Sequence, residues 1–181
     1  VYEKSFESNN VLLLPNTVTV TDYTPDIQVY GAEIPSNGIA GELISVQWAV
    51  VNGGAEVATG SWHDAVYLSE DSSFDANMDT LFGLYDHSGP LAVGETSSVP
   101  SQATWMRLPS RMEGDYYVFI VADAGDGVLE RGGETNNVYM VSSLIHIANQ
   151  AADLQMDTVS APSEALAGSA IPVSWVVVNR G

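Results

Sequence analysis

The feature of this chain that most constrains its fold is an internal repeat with a displacement of 127 residues. The stretch VYEKSFESNNV at residues 1–11 returns as VLERGGETNNV at residues 128–138, with six of eleven positions identical. At the same displacement, residues 24–54 align without a gap on residues 151–181, with 13 identities in 31 positions. A fixed displacement shared by two separate segments is typical of a tandem-repeat protein.

The phase of the repeat divides the chain into three parts. It predicts that residues 1–23 are the C-terminal part of a preceding repeat, 24–150 one complete repeat, and 151–181 the N-terminal part of a following repeat. Neither partial repeat is long enough to form a closed hydrophobic core alone. We therefore expect the chain to be one stretch of a longer array of repeats. The expected partners are neighbouring repeats of the same chain, or identical chains in a fibre.

Composition and charge exclude several classes of function. Hydrophobic residues make up 45% of the chain, enough for a repeat of this length to bury a core. The chain carries 23 acidic residues against 5 Lys and Arg, a net charge of -18. Nucleic-acid binding and insertion into an anionic membrane are therefore not expected. The absence of cysteine excludes disulfides and thiolate zinc sites.

Hydrophobic alternation predicts an all-β fold. In ELISVQWAVVN, residues 42–52, every second residue from Ile44 to Val50 falls on one face, and a Gly-Gly pair ends the run. No segment shows convincing helical periodicity. Short strands separated by polar turns favour an antiparallel β-sandwich. We expect the core to contain Trp48, Val50, Tyr117, Phe119 and Val121. On the strand GDYYVFIV, the alternate residues Tyr116, Val118 and Ile120 form a rival face.

Four segments of residues 24–147 resemble the CARDB domain, the cell-adhesion-related domain found in bacteria. They are PDI, AGELISVQWAVVNGG, GSWHDAVYLSEDSSFDANMDTLFG and GDYYVFIVADAGDGVLERGGETNNV. The most specific parts are the strand with Trp48, Val50 and Asn52, the strand from Val66 to Ser69, and the turn from Glu134 to Asn137. The resemblance implies an immunoglobulin-like sandwich of about seven strands, an extracellular or cell-surface location, and a structural or adhesive role without catalysis.

A first acidic cluster is a candidate calcium site. Its oxygen-bearing residues are Asp71, Asp75, Asn77 and Asp79, and the last three alternate as at the opening of an EF-hand loop. Asp86 falls at the twelfth place of that pattern, but Thr80 stands where the EF-hand turn needs glycine. The alternative is a solvated turn that its own Asp and Asn side chains cap.

A second acidic cluster lies in the turn before the last strand of the repeat. Its candidate ligands are Asp123, Asp126, Glu130, Glu134, Asn136 and Asn137. Calcium is again the expected ion, with help from Asp26, or from its counterpart Asp153, at the start of a repeat. The alternative is that the two asparagines bond only the backbone of the turn.

Two classes of function remain from the sequence. The first is a structural and adhesive array in a long extracellular surface protein, with neighbouring repeats or other cell-surface proteins as partners. The second is a carbohydrate-binding module for surface glycans, with Trp62, Trp105 and the Tyr116-Tyr117 pair available for stacking. The adjacent residues Asp86, His87 and Ser88 are not expected to form a catalytic triad, because a triad is assembled in space.

Overall fold

The computed structural model describes residues 12–13, 15–20, 23–98 and 104–181. Within these ranges the chain forms thirteen strands and no helix. In chain order the strands are β1 Ile27–Glu33, β2 Asn37–Ile39, β3 Leu43–Ser45, β4 Gln47–Asn52, β5 Ser61–Ser69, β6 Thr80–Ser88, β7 Thr96–Ser98, β8 Trp105–Arg107, β9 Gly114–Val121, β10 Val138–Met140, β11 Ile145–Ala148, β12 Leu154–Ser160 and β13 Ser174–Asn179. The expected all-β fold is confirmed.

Strands β1 to β11 form a sandwich of two layers. One layer contains the sheet β1-β4-β7 and the short pair β3-β8, which extends it because β3 leads directly into β4. The other layer is the sheet β2-β11-β9-β5-β6, with β10 also paired to β9. The strand pairs are antiparallel with one exception among the described residues, the parallel pairing of β11 with β2.

The core lies between the layers, where the alternation of β3 and β4 predicts it. Trp48 and Val50 are buried, as expected, and so are Ile44 and Val46 on the same face. The facing layer contributes side chains from β5, β9 and β11: Trp62, Val66, Leu68, Tyr116, Val118, Ile120, Ile145 and Ile147.

On β9 the rival face is the one that packs into the core. Tyr116, Val118 and Ile120 are buried there, whereas Tyr117 and Val121 are only half-buried, so the expectation that these two belong to the core is wrong. Phe119 is buried, but on the outer face of the sheet, where its ring lies 5.6 Å from that of Phe74. Both faces of β9 are apolar, and a period of two cannot tell which of them turns inward.

The chain enters and leaves the sandwich at opposite ends. The entry end, where β1 begins, also holds the loop 122–137 that follows β9, because the Ile27 amide donates a hydrogen bond to Glu130 of that loop. Strand β11 runs antiparallel to β9 and therefore finishes at the other end. The exit end, where β11 finishes, also holds the loop 70–79 between β5 and β6. The two acidic clusters of the sequence therefore lie at opposite ends of the sandwich.

Strands β12 and β13 form a separate antiparallel hairpin in residues 151–181. The other partial repeat, residues 1–23, lies largely outside the described residues. None of the described segments is a helix with the length and apolar character needed to cross a bilayer.

Candidate functional site

The carboxylates of the exit-end loop are engaged by the amides of their own turn. Asp71 Oδ1 accepts a hydrogen bond from the Ser73 amide at 2.7 Å. Asp75 Oδ1 accepts from the Asn77 amide at 2.9 Å, and Asp79 Oδ2 accepts from the Asp75 amide at 2.8 Å. These bonds are the side-chain caps that Asp and Asn provide in exposed turns. The geometry supports the alternative interpretation of this cluster, a turn that caps itself.

The structure separates Asp86 from this loop. Strand β6 begins beside the loop at Thr80 and carries Asp86 toward the entry end of the sandwich. Six residues of extended chain span about 20 Å. Asp86 therefore cannot complete an EF-hand-like site with Asp75, so its position at the twelfth place of the pattern does not make it a ligand.

The entry-end loop 122–137 is shaped by Asp123. This buried carboxylate accepts hydrogen bonds from the amides of Gly127 at 2.8 Å and Val128 at 2.7 Å. Asp123 and Asp126 both adopt a positive φ, 44° and 49°, a conformation that Asp tolerates better than most residues. Asp123 thus serves as the frame of the loop, with both of its oxygens occupied.

The same loop holds the first residues of β1. Glu130, which is 0% exposed, accepts a hydrogen bond from the Ile27 amide through Oε1 at 2.7 Å. The Asn136 amide group donates to Asp26 Oδ1 at 3.1 Å. Asp26 therefore contacts this loop through the Asn136 side chain, and the expected role of both residues in calcium binding stays a prediction.

Two buried oxygens of this loop have no hydrogen-bond donor among the described residues. They are Glu130 Oε2 and Asn137 Oδ1. The Asn137 side chain adjoins the Glu130 carboxyl and lowers the pKa of that carboxyl, as does the Ile27 amide. Desolvation is the larger effect, and with the nearby charges of Glu134 and Asp123 it raises the pKa of Glu130 from 4.5 to about 7.

A pair of exposed carboxylates lies on the solvent side of this loop. Partial burial and the negative charges of Asp126 and Asp123 raise the pKa of Glu134. One Glu134 oxygen accepts from the Glu130 amide at 3.3 Å, and the other from the Asn137 side chain at 3.4 Å. Among the described residues, no three His, Asp or Glu side chains are grouped closely enough to hold a metal ion as they stand.

The raised pKa of Glu130 predicts a pH-dependent stability. Below pH 4.5 the carboxyl is protonated in the folded and unfolded states, whereas between pH 4.5 and about 7 only the unfolded chain releases the proton. The free energy of unfolding should therefore fall as pH rises through this window, by up to about 3 kcal/mol from this group. Chemical denaturation at pH 5 and pH 8 in a chelating buffer measures the difference, and Glu130→Gln should remove it. An equal pH difference in the variant would contradict the assignment to Glu130.

A buried polar network that the sequence analysis did not identify joins the two layers. Asp64 Oδ2 accepts from Trp48 Nε1 at 2.6 Å and lies 2.7 Å from His87 Nε2, and Asp64 Oδ1 accepts from the Asp123 amide at 3.2 Å. Asp64 follows Trp62 by two residues and precedes Val66 by two, so it occupies a core-facing position of β5. In the sequence, a carboxylate at a core-facing position of a strand indicates a buried charge that is paired with hydrogen-bond donors.

The residues considered for catalysis and for sugar stacking differ in their exposure to solvent. His87 points into the core toward Asp64, whereas Asp86 and Ser88 are exposed, so the three adjacent residues do not meet as a triad. Trp62 is buried and stacks on His87, with ring centroids 5.0 Å apart. Tyr116 is also buried, so neither Trp62 nor Tyr116 can serve as a sugar-stacking platform. Trp105 is 60% exposed.

Comparison with known proteins finds a family model that matches the sandwich region of this chain. The model of the family described as CARDB matches residues 24–141. A crystal structure of a CARDB domain from Pyrococcus furiosus, in complex with di-metal ions, is similar at 19% identity, with 72% of this chain and 95% of that chain covered and a TM-score of 0.48. A solution structure of a CARDB domain from the same organism has 17% identity, coverage of 70% and 97%, and a TM-score of 0.46.

A β-glucosidase from Listeria innocua in complex with glucose also aligns, at 16% identity and a TM-score of 0.38. The alignment covers 68% of this chain and only 16% of the glucosidase. No curated protein sequence matches the chain. The family match covers the sandwich from just before β1 to just after β10, including the Trp48 strand and the 122–137 loop. This chain therefore belongs to the CARDB family of non-catalytic, adhesion-related domains.

Proposed function

We propose that this protein is a stretch of a tandem array of CARDB sandwiches that acts as a structural and adhesive element of a long extracellular surface protein or fibre. The observation that carries the proposal is the β12–β13 hairpin. It repeats the local structure of β1 and β4 one repeat length later while exposing the side chains that β1 and β4 bury.

The two hairpins agree pair by pair. The pairing runs from Ile27 with Asn52 in the first and from Leu154 with Asn179 in the second, and each partner is displaced by 127 residues. The β-bulge falls at the same step, between Val29 and Gly31 in the first hairpin and between Met156 and Thr158 in the second. A bulge is a specific feature of a strand pair, so the shared bulge supports the proposal that residues 151–181 are the opening of a second sandwich.

The hydrogen bonds that close the two hairpins also agree. The Asp26 amide donates to Asn52 Oδ1 at 3.1 Å, and the Asp153 amide donates to Asn179 Oδ1 at 3.0 Å. The same asparagine oxygens accept from the amides of Gly54 and Gly181, each at 3.1 Å. The identities between the repeats therefore preserve a defined local structure.

The second hairpin exposes the face that the first hairpin buries. Trp48 is 3% exposed and its counterpart Trp175 is 62% exposed. Val46 and Val50 are buried, whereas their counterparts Val173 and Val177 are exposed. An apolar sheet face of this kind is a binding surface. We propose that the remaining strands of a second sandwich cover it, supplied by a neighbouring repeat of the same chain or by an identical chain.

The placement of the chain ends suits an end-to-end array. Because β1 begins at one end of the sandwich and β11 finishes at the other, successive sandwiches would follow one another along a line. The length of such an array grows with the number of repeats. The net charge of -18 favours an extended, soluble assembly.

The native protein tests this proposal directly. We expect its chain to be far heavier than 19.3 kDa, and natural variants to differ in mass by steps of one 127-residue repeat. Protease added to intact cells should degrade the protein while a cytosolic marker enzyme stays intact. A native mass near 19.3 kDa would refute the array. Full protection in intact cells, with degradation after lysis, would refute the surface location.

A further inference from the structure

We propose that successive sandwiches of the array dock directly on one another, with the loop 122–137 of each sandwich seated in an apolar groove at the exit end of the sandwich before it. The inference rests on the proposed tandem array, and it names the contact that would make the junction between two repeats rigid.

The groove lies at the exit end, between strands of both layers. It has a volume of about 510 Å³ and is lined by residues of β2, β3 and β11 together with Gln150. Ile39 and Leu43 are 36% and 46% exposed in its wall, and Ile44 and Ala148 complete its apolar lining. Exposed apolar side chains that gather around a groove mark an interaction site.

The following repeat begins at residue 151. A Cβ atom on Gly54 would overlap the backbone of residues 24–26, and a Cβ atom on Gly181 would overlap the backbone of residues 151–153. The same close approach of a glycine therefore fixes the start of both repeats.

The linker between the two sandwiches is correspondingly short. Strand β11 ends at Ala148, so only Asn149 and Gln150 lie between it and residue 151. Three residue steps of extended chain span at most about 11 Å. The entry end of the following sandwich must therefore lie against the exit end of the preceding one, beside the groove that Gln150 lines.

The entry end presents an exposed leucine that suits this groove. Leu129 is 67% exposed, although it lies between the buried residues Val128 and Glu130. The Val128 amide donates to the Asp123 carboxylate, and the Glu130 carboxyl accepts from the Ile27 amide. The chain is thus anchored on both sides of Leu129, which lowers the entropy that docking would cost.

The loop that carries this leucine also lies close to the linker. Because the loop bonds Ile27, the loop of the following repeat would bond Leu154, the counterpart of Ile27. Leu154 is four residues from Gln150, a span of at most about 14 Å. The counterpart of Leu129 in the preceding repeat is Tyr2, so a large side chain suited to an apolar groove recurs at this position.

The charges beside the groove favour the approach of an acidic loop. Arg107 and Arg111 are two of the three Arg and Lys residues of the complete repeat, and both lie at the exit end. They offset the charges of Glu42 and Glu113 in the adjoining turns. The loop 122–137 therefore meets less repulsion here than the net charge of -18 imposes elsewhere.

The test is chemical cross-linking in the native array. The chain contains no cysteine, so a single pair can be introduced: Leu43→Cys in one repeat, and cysteine at the counterpart of Leu129 in the next. Leu43 and Leu129 lie at opposite ends of one sandwich. A short bis-maleimide can therefore join these positions only across a junction, and we expect the linked peptides in a peptide map of the array.

The matched control replaces Leu43→Cys by Leu84→Cys. Leu84 is 57% exposed in the middle of β6 and should give no linked product. Equal linkage from both sites, or linkage from neither in an array whose native mass is established, would overturn the docking and leave the array standing. A native mass near 19.3 kDa would instead refute the array on which the docking rests.

Leu129→Ser gives a second measurement that needs no cysteine. In the 181-residue chain this change should leave the melting temperature unaltered, because residues 1–23 lack the counterparts of β2 and β3 that line a groove. In the array, the same change at Leu129 and its counterparts should lower the melting temperature, since every junction loses an apolar contact. Equal melting temperatures of the original and variant arrays would contradict the docking.

Discussion

Replacement of Trp48 by alanine is expected to lower the free energy of unfolding of the sandwich by about 3 to 5 kcal/mol. The ring is buried between the two layers, and it lies edge-on to Tyr85 with centroids 5.8 Å apart. Its removal leaves a cavity in a core that cannot fully collapse. Equilibrium unfolding in urea, followed by circular dichroism, measures the loss.

Trp105→Ala is the matched control for this prediction. Trp105 has the same side chain but is 60% exposed on the short strand β8. Its replacement should change the free energy of unfolding by no more than about 0.5 kcal/mol. A loss of less than about 1 kcal/mol for Trp48→Ala would contradict the placement of this ring in the core.

Replacement of Asp64 by alanine is expected to cost about 3 to 5 kcal/mol as well, for an electrostatic reason. The change leaves Trp48 Nε1, the His87 ring and the Asp123 amide without their shared acceptor in the core. Buried donors deprived of an acceptor carry their full desolvation penalty. Asp64→Asn should cost less, because its carboxamide oxygen can still accept a hydrogen bond.

The control for Asp64 is the exposed Asp86 on the adjacent strand β6. Asp86→Ala should lie within about 0.5 kcal/mol of the original protein. The double variant Trp48→Ala/Asp64→Ala should lose less than the sum of the single losses, because the two residues share one hydrogen bond. Additive losses would contradict the network as the source of the effect.

The fold was predictable because local patterning and the repeat agree. The alternation through Trp48 and Val50 places both residues correctly in the core. The strand β9 was less predictable, because Tyr116 to Val121 are apolar on both faces. The outer face is covered at Phe119 by Phe74 of the 70–79 loop. Asp64 belongs to no cluster along the sequence, because its partners Trp48, His87 and Asp123 come from three other segments.

The two acidic clusters look alike in the sequence and differ in space. The side chains of Asp71, Asp75 and Asp79 cap the exposed turn to which they belong. The alternation of Asp and Asn in the sequence is the same for such a turn and for a metal-binding loop. In the 122–137 loop, Glu130 is drawn into the protein by the Ile27 amide, a contact between residues 103 positions apart. No local pattern reports such a contact, so the sequence could name the residues of this cluster but not their burial.

The opposite placement of the first and last strands has a mechanical consequence. Tension along an array would pull β1 and β11 in opposite directions, each along its own axis. The hydrogen bonds that join β11 to β2 and β9 lie across the axis of β11. A pull along this axis would load several of these bonds together, in shear, and would not break them one after another. Lifetime under load is set by the rate of unfolding, and a shear geometry keeps that rate low. In the proposed array, each sandwich would thus carry force from one end to the other.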